Sequence, residues 1–180
     1  MTKIVCIVGP TASGKSALAM DLARKFNGEI INGDSRQFYK ELNIGTAKPS
    51  LKDRESIPHH LIDCASIEKP WTVADFVKNA HDAIQRVINI QKLPLVVGGT
   101  GLYIKSLLFG LDPVPKVSDN IRNQLQKELE QNGLPKLYEE LSRSDPDSAE
   151  SLSPNDKQRI LRALEVYRET GKGIQEFWQK

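Results

Sequence analysis

The stretch Gly9-Pro10-Thr11-Ala12-Ser13-Gly14-Lys15-Ser16 matches the phosphate-loop spacing G-x-x-x-x-G-K-[ST] at every position. These residue types at this spacing bind anionic oxygens. Gly9 and Gly14 permit a turn tight enough for successive amide N–H groups to converge, and the positive end of the following helix adds to their field. Lys15 contributes a mobile cation. Ser16, in the first helical turn, is placed to give its hydroxyl to a magnesium ion bridging phosphate oxygens. The motif names a phosphate ligand and leaves the reaction open. A second polar loop, Asp34-Ser35-Arg36-Gln37, follows Asn32-Gly33 and carries a carboxylate at a turn. His59 and His60 are adjacent, so they point apart on a helix or a strand. They read as structural or as polar lining and not as joint metal ligands, for which zinc helices use an i, i+4 spacing.

These loops need a frame. Lys3-Ile4-Val5-Cys6-Ile7-Val8 is an apolar run of strand length, expected to be buried, and Leu18, Leu22 and Phe26 recur at the spacing of one helix face. Asn27-Gly28 breaks that helix, and Glu29-Ile30-Ile31 reads as a short strand ending at the Asp34 loop. In a doubly wound sheet ligands meet loops beyond the carboxyl ends of strands, so the two polar loops are predicted to be neighbours. Leu42 to Pro49, rich in small residues, and then Pro58 to Asp63 read mostly as loop. Thr72 and Asp75 form a capping box for the longest core helix, whose stripe is Val73, Phe76, Val77, Ala80, Ile84, Val87 and Ile88. Leu93-Pro94-Leu95-Val96-Val97 then predicts a buried strand ending in Gly98-Gly99-Thr100-Gly101. Most phosphate-loop hydrolases end the comparable strand in a metal-holding aspartate, and its absence argues against ATP hydrolysis.

Past Gly110 no strand-like run occurs. Asp112-Pro113-Val114-Pro115 reads as a stiff joint, followed by a helix from Ser118 that Gly133 closes and a second with Leu134, Leu137, Tyr138 and Leu141 on one face. A third helix opens at Ser153-Pro154-Asn155, turns Ile160, Leu161, Leu164 and Tyr167 inward and ends at Gly171. The predicted fold is α/β: a P-loop NTPase-like doubly wound parallel sheet over residues 1–111, with an appended helical region over 112–180. Phe177 and Trp178 need a partner surface.

The 180 residues can bury one sizeable core and an appendage. A hydrophobic share of 39% and a charged share of 27% are ordinary for a globular protein and exclude a disordered chain. A strand begins right after Met1-Thr2-Lys3 and no apolar run reaches membrane length, so the expectation is a cytoplasmic protein with no signal peptide and no membrane partner. Cys6 and Cys64 lack zinc-like spacing and read as reduced thiols without a role. A net charge of +2 does not by itself imply a polyanionic partner, so the position of the charges must carry any nucleic-acid argument.

Taken together the motifs resemble the tRNA dimethylallyltransferase family. The resemblance is carried by GPTASGKS, by DSRQ from Asp34 to Gln37, by IGTAKP from Ile44 to Pro49, by PHHLID from Pro58 to Asp63, by VGGTGLY from Val97 to Tyr103 and by PNDKQRILRALEVY from Pro154 to Tyr167. Six blocks in this order are specific where a phosphate loop alone is not. The resemblance implies transfer of a dimethylallyl group from dimethylallyl diphosphate to N6 of the adenosine 3′ of a tRNA anticodon, with Mg2+ and without ATP hydrolysis. It implies Asp34 as the base for the exocyclic amine, with Lys15 and Thr11 acting on the diphosphate. It also implies contacts to the anticodon stem-loop from Asp34, Ser35, Arg36, Gln37, Thr100 and Arg122, and from the segment Gln158, Arg159, Ile160, Leu161 and Arg162. Gln158, Arg159 and Arg162 share one helix face, which reads equally as a solvated basic face paired with Glu165. Family members continue past Lys180 with further helices, so the resemblance implies a chain shortened at its C-terminus, acting as a monomer. Two readings stay open beside it: prenylation of a free AMP-type nucleotide, and a small-molecule P-loop kinase.

Overall fold

Strands β1 (Val5–Val8), β2 (Gly28–Asn32), β3 (His59–His60) and β4 (Leu93–Gly98) form a parallel sheet in the order β1-β4-β2-β3 in the computed structural model, which describes residues 3–178. All three pairings are parallel, with Cys6 opposite Val96, Ile31 opposite Val96 and Ile30 opposite His59. Helices α1 (Lys15–Phe26), α2 (Leu51–Ser56), α3 (Val73–Asn89) and α4 (Gly101–Phe109) complete this unit, which spans Met1–Leu111. Side chains alternate along a strand, and here the alternation separates two cores. Ile30, Leu95 and Val97 pack with Ala19, Met20 and Ala23 of α1, whereas Ile31 and Val96 pack with Phe76, Ala80, Ala83 and Ile84 of α3 and with Ile104 and Leu107 of α4. Helices therefore cover both faces, as a doubly wound sheet requires.

Two local expectations change. The α1 face toward the sheet is Ala19, Met20 and Ala23, while Leu18 and Phe26 are half exposed. Small residues win this face because the helix lies close to β2, where a Cβ on Gly28 would meet the Ala23 Cα at 3.5 Å. Likewise β1 is half-buried and not fully so: it pairs only with β4 and forms the sheet edge among the described residues, leaving Val8 exposed on it and Ile4 exposed just before it. The Thr72–Asp75 capping box forms as predicted, with Asp75 Oδ2 accepting from the Thr72 amide at 2.9 Å and Thr72 Oγ1 accepting from the Asp75 amide at 3.2 Å.

The strand ends that carry the loops are fused by glycine. The Gly33 amide donates to the Val97 carbonyl at 2.8 Å, and a Cβ on Gly98 would sit 2.3 Å from Gly33 backbone atoms. No side chain fits there. Gly98→Ala is accordingly expected to lower stability by about 3 kcal/mol through forced separation of β2 and β4. Urea unfolding of the full chain measures it, and a loss below about 1 kcal/mol would show that the two strand ends can part freely.

The second unit spans Asp112–Lys180 and is helical: α5 (Asp119–Ser144), α6 (Pro146–Ser151), α7 (Lys157–Thr170) and a 3-10 turn at Ile174–Phe177. Gly133, at φ 76°, breaks α5 into two helices where the sequence puts a stop, and Gly171 closes α7 in the left-handed conformation at φ 70°. The cap of α7 is Asp156, whose carboxylate accepts from the Arg159 amide. Leu125, Leu137, Leu141, Ile160, Ala163 and Leu164 form its core. Arg168 ties the α5 halves to α7 through a paired fork to Glu128, at 2.6 and 3.1 Å, and bonds to Glu140 at 2.8 and 3.0 Å. Trp178 is half exposed. No helix among the described residues is long and apolar enough to cross a membrane.

Candidate functional site

The phosphate loop takes the shape its glycines predict. Ala12 and Gly14 both have positive φ, at 64° and 85°, and α1 starts with no side-chain cap, leaving its first amide groups available to an anion. Lys15 Nζ donates to the Pro10 carbonyl and lies 3.5 Å from Ser13 Oγ, so the ammonium folds over the loop. Ser16 follows it in the first turn and is exposed.

The Asp34 turn is held from three sides. Asn32, 3% exposed at the end of β2, accepts from the Asp34 amide at 2.9 Å and donates to the carbonyls of Asp34 and Leu61 at 3.1 and 3.0 Å. Thr100 accepts from the Ser35 amide at 3.1 Å and bonds its hydroxyl at 3.3 Å, which joins the turn to the end of β4. Phe38 anchors the far end, fully buried, with its ring centroid 5.2 Å from Trp71, 5.7 Å from Phe76 and 5.9 Å from Tyr103. Within the turn Asp34 Oδ1 accepts from the Arg36 amide at 2.9 Å.

A cavity of about 260 Å³ brings the two loops together. Thr11, Ala12, Lys15 and Ser16 line it beside Asp34 and Gln37, with Asn32, Val97 and Gly98 at the strand ends. Gly9, Pro10, Ser13 and Gly14 shape the loop without lining the cavity, and Ser35, Arg36 and Thr100 stand outside the lining. The sequence reading gave no role to Met20, Ile30 and Ile62 on the apolar side, or to Thr46, Ala47, Pro49 and Asp53 on the other, where His59 stands as polar lining. The IGTAKP and PHHLID blocks supplied a signal, since five of these eight lie in them. Gln37 donates its amide to the carbonyls of Thr46 and Ala47 at 3.0 and 3.2 Å, closing that wall.

The two histidines part as their adjacency demands. His59 lines the cavity and bonds the Ile57 carbonyl through Nδ1 at 2.7 Å, while His60 Nε2 lies 2.7 Å from Glu29, which Lys92 also reaches at 2.8 Å. Burial holds the His59 pKa below its ordinary value. Glu29 and Asp63 are also depressed: burial would raise both, but Lys92 and His60 beside Glu29, and Lys48 and Arg54 beside Asp63, outweigh it. All three shifts have one sign, because each group binds protons more tightly in the unfolded chain. Their stabilisation is present above the unfolded pKa values and is lost as pH falls, first below about 6.5 through His59 and then through the carboxylate range. The thermal midpoint is therefore expected to decline steadily from pH 7 to pH 4, and a constant midpoint over that range would contradict these environments.

In the helical unit Gln158 and Arg159 are exposed, and Arg162 is partly so. Glu165 brings Arg162 and Arg122 together, at 3.0 and 3.8 Å. Ile160 is fully buried and Leu161 half-buried in this unit's core. Ile160 therefore presents no side chain to an RNA, because the apolar stripe of α7 claims it. Among the described residues no group of three or more His, Cys, Asp or Glu could hold a metal ion.

A family model described as IPP transferase matches residues 37–180. The chain is 48% identical over 175 residues to a protein of Geotalea uraniireducens named tRNA dimethylallyltransferase 2, covering 97% of this chain and 56% of that protein. It is 45% identical to the tRNA dimethylallyltransferase of Geobacter sulfurreducens, covering 99% and 58%. Among solved structures it resembles a eukaryotic dimethylallyltransferase acting on tRNA, with TM-score 0.75 and 37% identity over 98% of this chain and 44% of that one. It also resembles the full-length tRNA isopentenylpyrophosphate transferase of Bacillus halodurans, with TM-score 0.61 and 38% identity over 96% and 57%. The chain spans about half the length of the curated relatives it matches.

Proposed function

Because the chain belongs to the IPP transferase family, we propose that it transfers a dimethylallyl group from dimethylallyl diphosphate to N6 of the adenosine 3′ of a tRNA anticodon. The observation that carries the reading is the shared cavity, in which Lys15, Ser16 and Thr11 of a phosphate loop line the same space as the Asp34 carboxylate. A donor diphosphate and an acceptor amine need those two groups side by side.

The roles follow from the charges. As the bond from the allylic carbon to the diphosphate breaks, negative charge grows on the leaving oxygens, where the loop amides, Lys15 and the Thr11 hydroxyl meet it. The exocyclic amine forms the new bond to that carbon and gives its proton to Asp34, because its lone pair, delocalised into the purine ring, makes it a weak nucleophile. The products are prenylated adenosine and diphosphate. Ser16 is the protein group that would hold Mg2+, a cation that keeps several waters and binds through substrate phosphates more than through a protein cage. When bound, it neutralises phosphate charge. On the RNA side Ser35, Arg36 and Gln37 contact the target nucleotide beside Asp34, and Thr100, Arg122, Gln158, Arg159 and Arg162 supply polar and cationic contacts to the rest of the anticodon stem-loop. The proposal puts the protein in the cytoplasm, as a monomer.

An acceptor panel tests this reading. With labelled dimethylallyl diphosphate and magnesium, label should enter bulk tRNA and leave AMP untouched. Label entering AMP alone would make the acceptor a free nucleotide, and phosphate transfer from ATP without use of the prenyl donor would make the protein a kinase.

A further inference from the structure

The wall from Thr46 to Pro49 lines the same cavity as the phosphate loop, and its backbone takes a conformation that Ala47 does not favour. Ala47 has φ 50°, and the neighbouring strand-end residues Leu61 and Asp63 have φ 61° and 55°, all in the left-handed region where residues other than glycine are strained. Something must hold this conformation. Lys48 is only 5% exposed at its side chain, and its Nζ donates to Asp63 Oδ1 at 2.6 Å, to the Tyr39 carbonyl at 2.5 Å and to Asn43 Oδ1 at 2.9 Å. Arg54 donates from Nη1 to Asp63 Oδ2 at 2.7 Å and from Nε to the Pro49 carbonyl at 3.1 Å. One carboxylate thus receives two cations on separate oxygens, and each cation also grips the backbone of the wall or its approach. The Asp63 amide in turn donates to the Gln37 carbonyl at 3.2 Å.

We propose that Asp63 is a positioning residue: through Lys48 and Arg54 it fixes the Thr46–Pro49 wall, and through that wall it holds Gln37, three residues from Asp34, in place for the acceptor base. The proposal rests on the acceptor reading given above. Its logic is spatial. Gln37 is bonded to this wall by its side chain, whereas the phosphate loop is held by β1 and α1 and takes no bond from Lys48, Arg54 or Asp63. Loss of the clamp should therefore loosen the acceptor side and spare the donor side. A salt bridge with only a structural role would weaken both sides together. Burial makes the arrangement specific, since an uncompensated cation at the Lys48 position is costly and the network relaxes only by moving the wall.

Asp63→Asn separates these cases because it keeps the volume and one acceptor oxygen but cannot serve two cations. Hydrogen exchange on the full chain should show amides in residues 44–50 opening at least about tenfold faster in the variant, with those of α1 unchanged. In the transfer assay the KM for tRNA should rise at least about fivefold while affinity for dimethylallyl diphosphate stays within about twofold. Arg54→Gln, which leaves the Lys48–Asp63 pair intact, should shift both readouts the same way and by less. Unchanged exchange at 44–50, or donor affinity falling as much as the tRNA KM rises, would overturn the clamp. If the unmodified protein transfers no prenyl group, the acceptor reading fails on its own, and the exchange comparison still decides whether Asp63 holds the wall.

Discussion

Asp34→Asn is expected to cut prenyl transfer by at least about a hundredfold while leaving affinity for dimethylallyl diphosphate within about threefold. The side chain is suited to this test. Its Oδ1 accepts from the Arg36 amide, a bond that asparagine reproduces, and the turn is otherwise held by Asn32, Thr100 and Phe38. The fold should therefore stay intact. What the substitution removes is the basic carboxylate, and with it a place for the amine proton when the carbon–nitrogen bond forms. A thermal midpoint within about 2 °C of the parent protein would confirm that the turn is unaffected. A variant that retains more than half the parent rate would assign the base elsewhere.

Lys15→Ala is expected to lower kcat/KM for the donor by about 10²–10³, with the larger part in kcat. The ammonium acts where charge accumulates, so its loss is felt more in the transition state than in the bound donor. Its bonds in the structure run only to Pro10 and Ser13 of its own loop, and stability should hardly change. Single-turnover rates at saturating donor check the point. Full restoration of the rate by raising the donor concentration would reduce Lys15 to a binding residue.

The site was legible in the sequence where chemistry demands a local spacing. The phosphate loop, the capping box at Thr72 and the helix stop at Gly133 are each set by residues within a few positions of one another, and each stands where the sequence puts it. A capping box at Ser50 and Asp53 carries the same signature and starts α2, a short helix with no buried residue and so no apolar stripe to announce it. Long-range pairing left no such mark. Nothing in the order of residues says that β1 is an edge strand, that Gly98 must meet Gly33, or that Asp63 joins Lys48 and Arg54. For α1 the periodicity held only at Leu22, which packs against the core, since leucine and phenylalanine at four-residue spacing signal a stripe only when the partner surface leaves room for them. On α7 the apolar stripe was correct, and it removes Ile160 from the face that carries Arg159 and Arg162.

The central claim is that one cavity joins the phosphates of a prenyl donor to a base aimed at an adenosine amine. The most direct measurement incubates the full chain with dimethylallyl diphosphate labelled in the allyl group, magnesium and a tRNA transcript, digests the RNA to nucleosides and follows the label by mass. The account predicts label on N6 of the adenosine 3′ of the anticodon, one diphosphate released for each group transferred, and both products formed at least about a hundredfold more slowly with Asp34→Asn. Prenylation that proceeds equally in the Asp34→Asn protein, or label found on any other atom of the RNA, would contradict it.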